Sequence, residues 1–243
     1  AAGSRCGADG LDMARSFPGR PDGSATQRAA HAATTRLATA DALLDLHTGG
    51  RGLRVLPMTG YTLHPEPAIL DAQRRMARAF GLPVIWGTTA TLEGRSLSAA
   101  RDLGVPGIYA EYGGGGGYDE AGVEAYTSGC LNVMRELGML PGGPSAEQSV
   151  RPFVVEDPRP GSGYMQAGHP APVDGFFRPC IELGCEVTRG DLVGTISDPL
   201  GTATCEVRAA ASGLVLVLRS ERSVRAGDAL AVVIDHDSEG ITA

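Results

Sequence analysis

Lysine is missing from this chain of 243 residues; all 21 of its basic side chains are arginine. That absence excludes Schiff-base chemistry on a lysine, the lysine of a conventional phosphate loop, and a lysine carrying lipoate or biotin. Cysteine is scarce and badly spaced: Cys6, Cys130, Cys180, Cys185 and Cys205 make an odd number, with no C-x-x-C pair. Neither a disulfide framework nor a cysteine-built zinc site fits, and a reduced, cytoplasmic compartment does. Apolar runs fall well short of the roughly 20 residues that span a membrane, so no membrane partner is expected. The opening AAGSRCGADG lacks a signal-peptide core and a starting Met, and we expect further sequence upstream of it. The net charge of −7 leaves little basic surface for phosphates, which argues against nucleic acid as a partner.

What is present reads as strands alternating with helices. Residues 24–39 look helical, with Ser24 and Gln27 in capping-box spacing. A strand follows at ALLDL and a short apolar run at Arg54–Met58. Residues 67–80 form an amphipathic helix opened by Pro67 and stopped by Gly81. Strands at 83–87 and 107–113 enclose a helix at 96–103, and a long helix covers 119–137. This alternation predicts an α/β layer with a mostly parallel or mixed sheet and flanking helices over 1–143. The Pro/Gly/Ser-rich stretch 141–148 reads as a linker to a small all-β unit over 149–243. Within that tail, Val187–Ile196 echoes Val224–Val233, with Gly190-Asp191 matched by Gly227-Asp228. The echo predicts two similar hairpins in one barrel or sandwich resembling a lipoyl-type half-barrel, in which the missing lysine excludes the cofactor.

Three places carry candidate chemistry. In DALLDLHTGG an apolar strand delivers His47 to the mouth of the sheet, with Asp45 two residues back on the same face, an arrangement that suits a divalent metal. In GIYAEYGGGGG a strand delivers Glu111 beside apolar walls, where desolvation raises basicity, ahead of glycines that let the backbone bend closely. In DGLDMARSFPG, Arg15 is a donor suited to a carboxylate. His64 and Glu66 in LHPEP could share a strand face, but the flanking prolines read as a loop; His31, His169 and His236 read as solvated.

Taken in order, DGLDMARSFPG, the helix from Ser24, DLHTGG and AEYGGG resemble the succinylglutamate desuccinylase/aspartoacylase family, over roughly residues 5–145. The DGLD…FPG run resembles most the branch that deacetylates N-acetylated diamino acids. The resemblance implies a zinc-carboxypeptidase-like α/β fold with a small C-terminal β domain, and zinc-dependent hydrolysis of a small N-acyl amino acid. It implies that His47 is a ligand of the zinc ion (Zn2+), that Glu111 activates the attacking water and returns its proton to the leaving amine, and that Arg15 grips a substrate carboxylate. Two departures stand out. The family's first zinc ligands come from a His-x-x-Glu segment ahead of the arginine motif, and we expect no such segment anywhere in this chain; its Leu-Asn before the arginine is Met13-Ala14. The residues thus supply one zinc ligand of an expected three, and weak zinc binding is expected. The alternatives are a metal-free relative acting as a binding or interaction protein, an inactive fragment, and a module whose β tail drives homo-oligomerisation.

Overall fold

Helix ends are where the sequence speaks most directly. Ser24 opens α1 (Ala25–Leu37): its hydroxyl accepts from the Gln27 amide while the Gln27 carbonyl oxygen accepts from the Ser24 amide at 3.0 Å. Pro67 sits in the first turn of α2 (Pro67–Phe80), where its missing N–H would have no partner anyway, and Gly81 ends that helix in the left-handed conformation with φ 91°. Gly104 ends α3 (Ser96–Leu103) in the same way. Asp119 caps α4 (Glu120–Glu136). The computed structural model describes residues 5–144 and 151–235, so half of the linker predicted at 141–148, and His236, lie outside the described residues. Among the described residues no helix is long and apolar enough to cross a membrane.

The strands of the first half are β1 (Leu43–His47), β2 (Leu53–Thr62), β3 (Val84–Thr88) and β4 (Gly107–Gly114), and β5 (Phe153–Asp157) follows the linker region. They form a mixed sheet: β1 with β4, β2 with β3, and β3 with β5 run parallel, while β2 and β4 are antiparallel. β2 is twice as long as the apolar run predicted for it. Its far half pairs with β3, from Met58 opposite Val84, and its near half pairs with β10 (Gly213–Arg219), with Val55 opposite Val217. The fork joins strands from both ends of the chain into one eight-stranded sheet that also takes in β7 (Glu186–Val187) and β12 (Ala231–Asp235). A second, antiparallel sheet holds β6 (Gly175–Pro179), β8 (Leu192–Ser197), β9 (Thr204–Arg208) and β11 (Ser223–Val224).

The echoed Gly-Asp segments occupy equivalent places in this β region. Gly190 and Gly227 have φ of 97° and 90°. Asp191 accepts from the Thr188 amide at 2.7 Å, and Asp228 from the Arg225 amide at 2.9 Å. These turns do not close hairpins, however. β7 pairs with β10 rather than β8, and β11 pairs with β6 rather than β12. Each turn carries the chain from one sheet to the other, and Val187, Val193, Val215, Val224 and Leu230 meet in the shared core.

One half-buried ion pair ties α2 to β5. Arg74 donates to both oxygens of Glu156, at 2.8 and 2.7 Å, and the buried Tyr61 hydroxyl donates to the same carboxylate at 2.5 Å. Burial opposes the Glu156 charge, but these hydrogen bonds outweigh it and hold its carboxyl below the ordinary range. A depressed carboxyl stabilises the fold above the usual glutamate range and loses that contribution as pH falls through its folded-state value. Glu156→Gln should lower unfolding free energy by about 2 kcal/mol at pH 7. Urea unfolding across pH 3–7 checks this, the gap from wild type closing at the acid end.

Candidate functional site

The site rests on one register. β1 and β4 run parallel from Leu43 opposite Gly107 to His47 opposite Glu111. Alternate side chains share a face, so Asp45 and His47 stand beside Tyr109 and Glu111. All four line a cavity of about 370 Å³ at the ends of the strands, the position where an open α/β sheet takes its ligands. The Tyr126 hydroxyl, from α4, donates to the His47 carbonyl and fixes the end of β1.

Each polar group there has a distinct environment. His47 Nε2 lies 3.0 Å from Asp45, whose carboxylate also accepts from the Ser96 hydroxyl at the start of α3. The Asp45 hydrogen bond outweighs burial and raises the imidazole pKa. Glu111 is only 7 % exposed, and its Oε2 is buried with no hydrogen-bond partner. Burial pushes its carboxyl up to about 7, against the attraction of His47.

Arg15 reaches the same cavity from the other side. It ends a short 3-10 turn, Met13–Arg15, whose start is capped by Asp12 accepting from the Ala14 amide at 2.9 Å. The loop before α3 presses on this turn: the Phe17 amide donates to Gly94 at 3.1 Å, and a Cβ on Gly94, where φ is 77°, would stand 2.8 Å from the Arg15 carbonyl oxygen. Arg15 donates to the Ala14 carbonyl at 2.6 Å and to Gln166 Oε1 at 2.5 Å. The structure thus gathers His47, Glu111 and Arg15 around one cavity.

Arg95, which sequence reasoning passed over, lines it too. Its Nη1 donates to the Gly163 carbonyl at 3.2 Å, and its guanidinium lies 5.1 Å from the centre of the Tyr164 ring. Its Nε and Nη2 are buried without an acceptor. Such a guanidinium, left partly unsatisfied, suits an incoming anion. Its signal in sequence was an arginine at the N-cap of a helix just beyond a strand end.

The other histidines lie elsewhere. The loop residue His64 accepts from the Glu66 amide at 3.0 Å, before α2. His169, predicted to be solvated, is half-buried: its ring contacts the Ala231 carbonyl at 3.1 Å and accepts from the Ala210 amide at 3.0 Å, which fixes it structurally. His31 stays on α1. A His-x-x-Glu spacing does occur, at His236 and Glu239, among the residues outside those described.

A catalytic zinc takes about three protein donors plus water. Among the described residues no three His, Cys, Asp or Glu side chains are placed to hold a metal, and the Nε2 of His47 is engaged by Asp45. The described donors do not by themselves fit a zinc ion.

The structure is thus a mixed α/β protein in which a parallel strand pair presents a buried carboxyl to a cavity that Arg5, Arg15 and Arg95 also line. Residues 1–137 match the family model of the succinylglutamate desuccinylase/aspartoacylase catalytic domain, and the chain belongs to that family. It is 31% identical over 234 residues to the N-alpha-acetyl-L-2,4-diaminobutyric acid deacetylase of Halomonas elongata, covering 93% of this chain and 66% of that one. It thus spans a little under two thirds of that relative's length. Among solved structures, a succinylglutamate desuccinylase/aspartoacylase from Rhodobacter sphaeroides superposes with a TM-score of 0.83 at 29% identity, over 99% of this chain and 71% of its own. The product-bound ectoine utilization protein EutE from Ruegeria pomeroyi gives 0.82 at 28% identity, over 93% and 68%.

The raised Glu111 carboxyl has a thermodynamic signature. A carboxyl whose pKa is higher folded than unfolded costs stability as pH rises from its unfolded value to its folded one. Chelator-treated protein should lose roughly 3 kcal/mol between about pH 4.5 and about pH 7 on this account, and Glu111→Gln should remove that loss. Denaturant melts of both proteins at pH 5 and pH 8 check it.

Proposed function

We propose that this protein hydrolyses the amide bond of a small N-acyl amino acid. The observation that carries the reading is Glu111: a buried, unpartnered carboxyl with a pKa near 7, in register with His47, in a cavity that Arg15 and Arg95 also line. A base of this kind takes a proton from water as the water oxygen adds to the acyl carbonyl carbon. The C–N bond then breaks, and Glu111 returns the proton to the departing amine, leaving a carboxylic acid and a free amino acid. Arg95, with buried donors to spare, and Arg15 at the rim hold the carboxylate of the amino-acid portion. His47, oriented by Asp45, is the residue we assign to the zinc that the family resemblance implies. The relative from Halomonas elongata suggests an N-acetylated diamino acid as the first substrate to try.

One observation favours a second reading. The described residues lack a three-donor metal group, and a relative without metal would keep the cavity and bind the same carboxylates without turnover.

Amine release from N-acetyl-L-2,4-diaminobutyrate and simpler N-acetyl amino acids, with and without added zinc, separates the two. On the hydrolytic reading, Glu111→Gln lowers kcat by about 10²–10⁴ and leaves KM within a few-fold. Arg95→Met should raise KM at least tenfold and raise the melting temperature, because it removes a buried charge that lacks full compensation. Carboxylate binding with no turnover at any zinc concentration would sink hydrolysis and leave the binding protein.

A further inference from the structure

Many arginines in this structure find carboxylates. Among the described residues, eight form ion pairs with Asp or Glu, from Arg5 with Asp12 to Arg219 with Asp228. Three line the cavity: Arg5 is paired with Asp12, but the other two differ. Arg95 donates to a carbonyl and stacks on Tyr164, and Arg15 donates to its neighbour's carbonyl and to Gln166. Gln166 comes from the far end of the sequence, 151 positions away.

The segment that delivers Gln166 is firmly held. Ser162 donates to the Asp157 carbonyl and accepts from the Thr89 amide, both at 2.7 Å. Gly163 has φ 83°, and a Cβ there would come within 2.9 Å of Leu92. Met165, next to Gln166, is buried in the core with Trp86, Val232 and Ile234. Gln166 itself is exposed, so its side chain reaches Arg15 from an anchored backbone.

We propose that Gln166 is a specificity-determining residue: its neutral amide oxygen aims the Arg15 guanidinium without cancelling its charge, so that the cavity mouth selects a ligand bearing a carboxylate. This rests on the reading that the cavity takes a small N-acyl amino acid. A glutamate of the same shape would hold Arg15 equally well, but its charge would compete with the ligand for Arg15, at a cavity where Arg5 is already taken up by Asp12. An alanine would leave Arg15 charged and merely less well aimed. Charge and shape thus make opposite rankings: selectivity by charge penalises Glu most, whereas a packing role penalises Ala most.

The test is calorimetric titration of the full chain in a Glu111→Gln background, which slows turnover, with N-acetylglycine and its neutral isostere N-acetylglycinamide. The expected result is at least tenfold preference for N-acetylglycine with Gln166 present, a two- to fivefold loss of affinity in Gln166→Ala, and a loss of tenfold or more in Gln166→Glu that abolishes the preference. Equal affinity for both ligands with Gln166 in place, no binding of either, or a Gln166→Glu variant that binds N-acetylglycine as well as Gln166→Ala does would overturn the proposal. Binding is read apart from catalysis, so absence of hydrolysis in the parent protein would sink the deacylase reading and leave this selectivity standing.

Discussion

The parallel pairing of β1 with β4 is the constraint on which the site depends. A shift of one residue would turn either His47 or Glu111 to the opposite face of the sheet. In register, the two end their strands side by side, with Asp45 and Tyr109 one repeat behind them. α3 and α4 secure the arrangement from outside the sheet, Ser96 through the Asp45 carboxylate and Tyr126 through the His47 carbonyl. The backbone geometry of two short strands thus does the positioning, and the flanking helices keep it in place.

Charge is distributed unevenly around that pair. Elsewhere, several guanidiniums and carboxylates are matched, as in the Arg74–Glu156 pair. At the cavity Arg5 is matched with Asp12, but Glu111 Oε2 and two Arg95 nitrogens are buried without partners. An unsatisfied buried polar group costs stability, and here the unsatisfied acceptor and donors line one space. Local instability concentrated where a ligand can relieve it is how a site prepared for binding differs from ordinary core.

Much of this was legible in the sequence, for local reasons. Ser24, Pro67, Gly81 and Gly104 mark helix ends through hydrogen bonds and backbone angles that depend on close neighbours. His47 and Glu111 each sit at the end of an apolar run, and period-two alternation gives their facing. What escaped depends on distant partners. Nothing in Leu53–Thr62 reveals that β2 forks between β3 and β10, or that it opposes β4. The Gly-Asp turns look like hairpin turns because a turn signal does not say which strand the chain pairs with next. Gln166 reaches Arg15 only after the fold has closed 151 positions, and an arginine such as Arg95 reads the same whether solvated or buried.

The fork in β2 has a consequence for how the chain comes into being. Its near half pairs with residues 217–219, more than 160 positions downstream. On the ribosome, α1 to α4 and the first strands would emerge long before β10 does, and that stretch of β2 would wait as an open sheet edge. Contacts of such separation form slowly because a large loop must close first. The nascent protein therefore passes through a stage in which that edge, on the strand beside its own site, is open to pairing with neighbouring chains.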